Sequence, residues 1–209
     1  MTGSPRYDRN QGTMENRSDQ RSFIWTIDDG DKIVHVNDAW LAFAGENTAP
    51  QLTVAAVLNQ PIWHFIQGQE TVYLYNQIFG RVRAGKSPVK FPFRCDSPDC
   101  RRFMEMKLSL LSGDAIEFVS HILREEWRQP LDLLDASRDR SEEFLKICSW
   151  CKKIYIPGQG WGEIEAAIEP LDLFGHHSMP RMTHTICDSC YGAIKLELNQ
   201  KSDEKLNSP

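Results

Sequence analysis

The sequence contains no apolar run that approaches the roughly 18 residues needed for a membrane-spanning helix. Residues 1–21 are polar and charged, and they lack the apolar segment of a secretory signal. We therefore expect residues 1–21 to be a disordered leader, with an interaction arm as the alternative. A chain without a signal or a span is expected to be cytoplasmic and not bound to a membrane.

Several motifs of well-known enzymes are also missing. There is no Gly-rich phosphate loop, no Gly-x-Ser-x-Gly turn, no His-Glu-x-x-His helix, and no signature of a kinase or a receiver domain. The sequence thus predicts a protein that is not an enzyme, so that any catalytic output belongs to a partner.

The charge balance is mildly acidic. Lys and Arg number 24 and Asp and Glu 29, which gives a net charge of -5. This balance argues against a nucleic-acid-binding surface, although a local basic patch is compatible with it. The 209 residues are enough for one full domain and a small second one.

Residues 22–125 show the pattern of one α+β unit. Apolar residues at spacings of three and four predict a long helix over Gln69–Arg83, and Asn37-Asp38 offer a cap for a short helix over Ala39–Ala44. Alternating or β-branched runs bounded by turns predict strands. They are Phe23–Ile27, Lys32–Val36, Val89–Cys95, Phe103–Leu111 and Ala115–Leu123. Strands at both ends with helices between them predict a five-stranded antiparallel sheet with flanking helices.

This order of elements resembles a PAS domain. The resemblance is carried by the Asp28–Asp31 turn, by Val36–Trp40 at the step from strand to helix, and by the long helix before three final strands. The segment Phe93–Pro98 with Arg101–Phe103 resembles a bacterial PAS-like subfamily. The resemblance implies a sensing or protein-interaction module, often dimeric, with a cavity between sheet and helices.

A ligand cavity of this kind would be lined by large apolar side chains, which could equally be ordinary core residues. Within it, His64 and His121 are the polar candidates, and His64 is the candidate axial ligand if the ligand is haem. The candidate lining residues are Trp25, Trp40, Phe43, Trp63, His64, Phe65, Ile78, Phe93 and Phe118.

Four cysteines in two Cys-x-x-Cys pairs dominate the C-terminal part: Cys148, Cys151, Cys187 and Cys190. Two such pairs predict a tetrahedral, zinc-knuckle-like site with structural zinc. Residues 144–198 contain little apolar material, so metal binding, worth on the order of 10 kcal/mol in small zinc peptides, would supply much of their folding energy. An iron–sulfur cluster, a reversible dithiol switch and a redox enzyme that uses Cys148 and Cys151 are the alternatives.

The segments around these pairs, Ile147–Ile154, Trp161–Glu165 and Thr183–Cys190, resemble a cysteine module at the C-terminal end of bacterial signalling proteins. His184, three residues before Cys187, is either an alternate ligand or a group that orients a sulfur. Helices are predicted over Trp161–Ile168 and Ala193–Leu198.

The remaining segments are assigned from composition. Residues 126–143 are predicted as a linker with a helix over Ser141–Ile147, residues 199–209 as a disordered tail, and His176-His177 as a surface loop. Cys95 and Cys100 are expected to be ordinary thiols on neighbouring strands, with a redox disulfide as the alternative.

Together these features predict a bacterial signal-transduction protein in which a PAS-like sensor or interaction domain is coupled to a zinc-binding module. The partner would be a signalling protein, or a second copy of this chain that binds through the PAS-like domain or residues 126–147. The alternatives are a thiol redox sensor or oxidoreductase, and a sensor of haem or another small ligand.

Overall fold

The computed structural model describes residues 21–47, 49–85, 87–173 and 178–200, except for the side chain of Gln200. Residues 1–20 of the predicted leader, the loop at His176-His177 and residues 201–209 of the predicted tail lie outside this part of the chain. Within it, no helix is long and apolar enough to cross a bilayer.

The first unit is built on a five-stranded antiparallel sheet, which confirms the predicted fold class. The strand order is β2-β1-β5-β4-β3. Strand β4 shows how the sheet is patterned, because Met104, Met106 and Leu108 alternate with more exposed residues and face the core. The strands are β1 (Ser22–Ile27), β2 (Ile33–Val36), β3 (Val89–Arg94), β4 (Cys100–Leu110) and β5 (Ile116–Trp127).

Three helices lie between β2 and β3, in the order on which the resemblance to PAS domains rests. They are α1 (Asp38–Glu46), α2 (Val54–Val57) and α3 (Gln69–Arg83). The Asn37 side chain accepts a hydrogen bond from the Trp40 amide and caps α1, as predicted, and it also accepts one from the Ile24 amide. Helix α3 has the predicted bounds and buries Leu74 and Ile78 against the sheet.

The C-terminal part contains a second sheet, which the sequence patterns did not predict. Its order is β8-β7-β6-β9, and β6 and β9 are parallel. The strands are β6 (Arg140–Cys148), β7 (Ile154–Ile156), β8 (Gly160–Gly162) and β9 (Met179–Thr185). Two helices complete this part, α4 (Ile164–Ala167) and α5 (Asp188–Gln200).

Three secondary-structure predictions for this part need correction. The helix expected over Ser141–Ile147 is wrong, because this segment is strand β6 and turns Leu145 and Ile147 into a core. The expected helix over Trp161–Ile168 is reduced to α4, since residues 160–162 pair with β7. The linker expected over residues 126–143 begins inside β5 and ends inside β6, while helix α5 contains the predicted Ala193–Leu198 helix and extends into the predicted tail.

The second sheet has an apolar core of its own. Ten buried residues among those that the structure describes form it, two of which, Leu131 and Leu133, come from the segment expected to be a linker. These two leucines extend the apolar material beyond residues 144–198. A metal at the cysteines is therefore not the sole source of stability for this part.

Candidate metal centre

The two Cys-x-x-Cys pairs converge on one point. The Sγ atoms of Cys148, Cys151, Cys187 and Cys190 all lie within 4.8 Å of one another, and those of Cys151 and Cys187 are 3.7 Å apart. A zinc–sulfur bond of about 2.3 Å places neighbouring sulfurs of a tetrahedron about 3.8 Å apart. The arrangement therefore has the dimensions of a four-thiolate metal site.

Parallel pairing of β6 with β9 is what brings the pairs together. Cys148, the last residue of β6, lies opposite Thr185, the last residue of β9, so both pairs follow the same edge of the sheet. After β6 the chain turns tightly: Lys152 has a positive φ of 59°, and its amide donates to the Cys148 carbonyl at 3.0 Å. After β9, Cys187 immediately precedes α5 and Cys190 lies in its first turn.

Hydrogen bonds within the group separate the acidities of its thiols. The pKa of Cys148 is lowered because its sulfur accepts hydrogen bonds from the Cys151 and Cys190 thiols and from backbone amides, including that of Cys187 at 3.4 Å. Donation to Cys148 raises the pKa of Cys151 to about 12 and raises that of Cys190 as well. A metal ion bound here would take the place of these hydrogen bonds, because cysteine binds metals as the thiolate.

The donor set fits a closed site. None of the four cysteines forms a disulfide, and Cys148 and Cys187 are buried while Cys151 and Cys190 are partly exposed. Four thiolates would fill a tetrahedral shell and leave no position for substrate, which is the pattern of structural zinc. The same donors also suit iron in a cluster.

His184 lies beside this group and is not part of it. It is on β9, opposite Ile147 of β6, and it lines a cleft between the two units. Burial, and next the ammonium group of Lys152, lower the pKa of His184.

The loop from Cys148 to Cys151, here called the first knuckle, packs against the PAS-like unit. Trp150, between the first two cysteines, is only 4% exposed and packs against Tyr75 of α3 and Phe91 of β3, with ring centroids 5.3 and 5.1 Å away. The Arg94 amide donates to the Trp150 carbonyl at 2.7 Å. The four-cysteine group is therefore attached to the sheet and to the long helix through Trp150, which lies between Cys148 and Cys151.

A glycine at the start of α3 makes a second close contact. Gly68 has φ of +90°, and a Cβ on it would lie 2.3 Å from the backbone oxygen of His184. Only glycine allows α3 and β9 to approach this closely.

Charged side chains complete the junction. Arg94, with its side chain 6% exposed, pairs with the buried Asp96 and with Glu163, whose carboxylate is 2.6 Å from its guanidinium. Glu165 of α4 pairs with Arg128 at 3.0 Å and with Arg101. These ion pairs connect β3, β4 and Arg128, which follows β5, to Glu163 and Glu165 at the start of α4. They attach the second unit to the sheet of the first.

The PAS-like unit contains an apolar cavity of about 280 Å³ between the sheet and the helices. Tyr75 of α3, which is not among the nine candidate residues, lines this cavity. Four of the nine candidate residues also line it, namely Trp25, Trp40, Phe65 and Phe118.

The other five candidates lie elsewhere. Phe43 packs on Phe23, Ile78 is in the core, and Phe93 lines the cleft between the units. Trp63 donates its indole N–H to Asp31 at 3.1 Å. Composition identifies such residues as apolar, but the direction of each side chain depends on the turn that carries it.

His64 and His121 do not face this cavity, contrary to expectation. His64 is exposed, because the turn over residues 62–64 directs Ile62 inward in its place. His121 is on the opposite face of β5 from Phe118 and lies 3.9 Å from Glu105. Within the described residues the cavity lining contains no histidine, so neither His64 nor His121 is placed to bind a haem iron there.

Cys95 and Cys100 are separate thiols. Cys95 lies opposite Arg102, whereas Cys100 forms a bridge with Ser97, so the two cysteines are not cross-strand neighbours. Burial is the main cause that raises the pKa of each. Neither is in a disulfide.

Comparison with solved structures returns PAS domains. One is the PAS domain of the RpfR quorum-sensing receptor of Cronobacter turicensis in complex with C12:0, with 15% identity, 52% of this chain and 100% of that chain covered, and a TM-score of 0.38. Another is the PAS domain of Bordetella pertussis BvgS, with 18% identity, 48% of this chain and 71% of that chain covered, and a TM-score of 0.34. A third is the PAS domain of an HTR-like protein of Haloarcula marismortui, with 20% identity, 49% of this chain and 86% of that chain covered, and a TM-score of 0.34.

These identities and TM-scores are low, so the proposals below rest on the residues of the chain itself. No family model matches the sequence. No curated protein matches it either.

Proposed function

We propose that this chain is a cytoplasmic bacterial signalling protein in which a PAS-like sensor or interaction domain is coupled to a zinc-binding four-cysteine module. It is not itself an enzyme, and its output is a contact with a signalling protein or with a second copy of the chain. The observation that carries the proposal is the position of Tyr75, which lines the apolar cavity and packs on Trp150 between two of the cysteines.

This position gives a physical route from cavity to knuckle. A molecule that enters the cavity displaces or orders Tyr75, and the ring in contact with Tyr75 belongs to the loop that holds Cys148 and Cys151. Ligand binding would then change the relative populations of two states, one in which the first knuckle packs against the PAS-like unit and one in which this contact is loosened. The bound zinc would keep the loop rigid, so that movement is transmitted to β6 and α5.

A cavity-filling variant tests this route without knowledge of the ligand. Leu52→Trp adds bulk to the cavity, and Val54→Trp adds the same side chain at a site that is 46% exposed. We expect Leu52→Trp, but not Val54→Trp, to change hydrogen exchange of the Arg94 amide, which bonds to Trp150 across the junction. Equal protection in both variants, with both folded, would refute the route.

The thiol redox alternative gives a different result in the same preparation. Four thiols that are protected from alkylation until a chelator is added support zinc. Rapid formation of a Cys148–Cys151 disulfide in air would favour a redox sensor.

A further inference from the structure

A cleft lies at the junction of the PAS-like unit and the first knuckle. It is next to the apolar cavity and shares part of its wall. Its volume is about 440 Å³, within the range of small-molecule sites. Aromatic side chains of Tyr75, Phe93 and Trp150 line it together with Phe65 and Ile66. These walls suit a flat, apolar molecule.

The two cationic side chains of the cleft differ in whether carboxylates compensate their charge. Arg94 and Lys152 line the cleft, and among the described lining residues there is no aspartate or glutamate. The two acidic partners of Arg94, Asp96 and Glu163, lie outside the lining.

Lys152 is the cation available to a ligand. It donates to the Ser149 carbonyl at 2.8 Å and forms no ion pair with any carboxylate in the described part of the chain. His184 lines the same cleft and adds a hydrogen-bonding group to it.

Trp150, one of the walls of the cleft, carries a buried indole Nε1–H that has no hydrogen-bond acceptor. Buried donors are almost always paired in native proteins, so an unpaired donor in this wall is unusual.

We propose that this cleft is a second binding site, specific for a small ligand that combines a flat apolar body with an anionic group such as a carboxylate, sulfonate or phosphate. The apolar body lies against Tyr75, Phe93 and Trp150, and the anion meets Lys152. The site is distinct from the apolar cavity, with which it shares Phe65, Ile66 and Tyr75 as a wall. The inference does not depend on the proposed sensing function or on the identity of the metal.

The probe for the test is 8-anilino-1-naphthalenesulfonate, an aromatic sulfonate whose fluorescence rises in apolar sites. We expect Lys152→Gln to weaken its binding about three- to fivefold, the upper part of the range that one partly exposed ion pair supplies. Lys152→Arg keeps the charge and should retain binding. Lys153→Gln is the matched control. It removes the same charge from the next residue, whose side chain does not line the cleft.

Two further measurements locate the probe. The uncharged N-phenyl-1-naphthylamine should not distinguish Lys152→Gln from the unaltered protein. Phe93→Leu removes an aromatic ring that lines the cleft and not the cavity, so it should weaken binding of the sulfonate. Equal weakening by Lys152→Gln and Lys153→Gln, or unchanged binding in Phe93→Leu, would overturn the inference.

Discussion

The close approach of Gly68 to β9 gives the sharpest test of how the two units are joined. Gly68→Ala places a Cβ 2.3 Å from the carbonyl oxygen of His184, far inside van der Waals contact. The obstacle is backbone, and β9 cannot move away freely because His184 is paired in register with Ile147 of β6. Helix α3 and the strand that leads to Cys187 must therefore separate.

Two costs add in this variant. A residue with a side chain at φ of +90° costs on the order of 1–3 kcal/mol, and relief of a clash in a packed region costs about 1–3 kcal/mol. We expect Gly68→Ala to lower the free energy of unfolding by roughly 2–6 kcal/mol. Gly85→Ala is the matched control: Gly85 has φ of +66° but no atom within 4 Å of its added Cβ, so about 1 kcal/mol is expected.

Equilibrium urea unfolding of the zinc-loaded proteins measures both variants. Hydrogen exchange of the Val72 amide, which bonds to the Gly68 carbonyl at 3.0 Å, reports separately whether the start of α3 has opened. A difference between the two variants below about 0.5 kcal/mol would refute the reasoning, since that is within the range of neutral surface changes.

Two further predictions concern the same junction. Trp150→Ala should lower the free energy of unfolding in urea by about 3–5 kcal/mol, whereas Trp127→Ala, at a site that is 70% exposed, should change it by less than about 0.5 kcal/mol; equal losses would contradict the docking. Burial alone would raise the pKa of Glu165, but hydrogen bonds from its own backbone amide and from Arg101, with the charge of Arg101 and a bond from Arg128, lower it overall. Stability from Glu165 is thus complete above its unfolded pKa of about 4.3 and is lost as pH falls through the lower folded value. Glu165→Gln should flatten the fall in urea midpoint between about pH 5 and pH 3, and an unchanged slope would count against these ion pairs.

The sequence predicts the first unit well because its signals are local. Apolar residues of α3 recur every three or four positions, and β4 alternates buried and more exposed positions. Each element can therefore be predicted from its own segment of sequence. The four-cysteine group is also predictable from sequence, because two Cys-x-x-Cys spacings are enough to indicate one metal site.

Strand β6 could not be predicted in this way. Ser141 with the two following glutamates has the chemistry of a helix start, yet the segment is a strand because its backbone pairs with β9, more than thirty residues later in the chain. A parallel partner at that distance overrides local propensity. The cavity shows the same limit, since Trp63 turns to Asp31 while Tyr75 turns to the cavity.

Native mass spectrometry of freshly purified protein tests the central claim most directly. If the four cysteines hold zinc, the folded chain carries one zinc ion, all four thiols resist alkylation, and a chelator releases the ion and exposes the thiols together. A folded, metal-free chain that is two or four hydrogens lighter, with disulfides among Cys148, Cys151, Cys187 and Cys190, would contradict it.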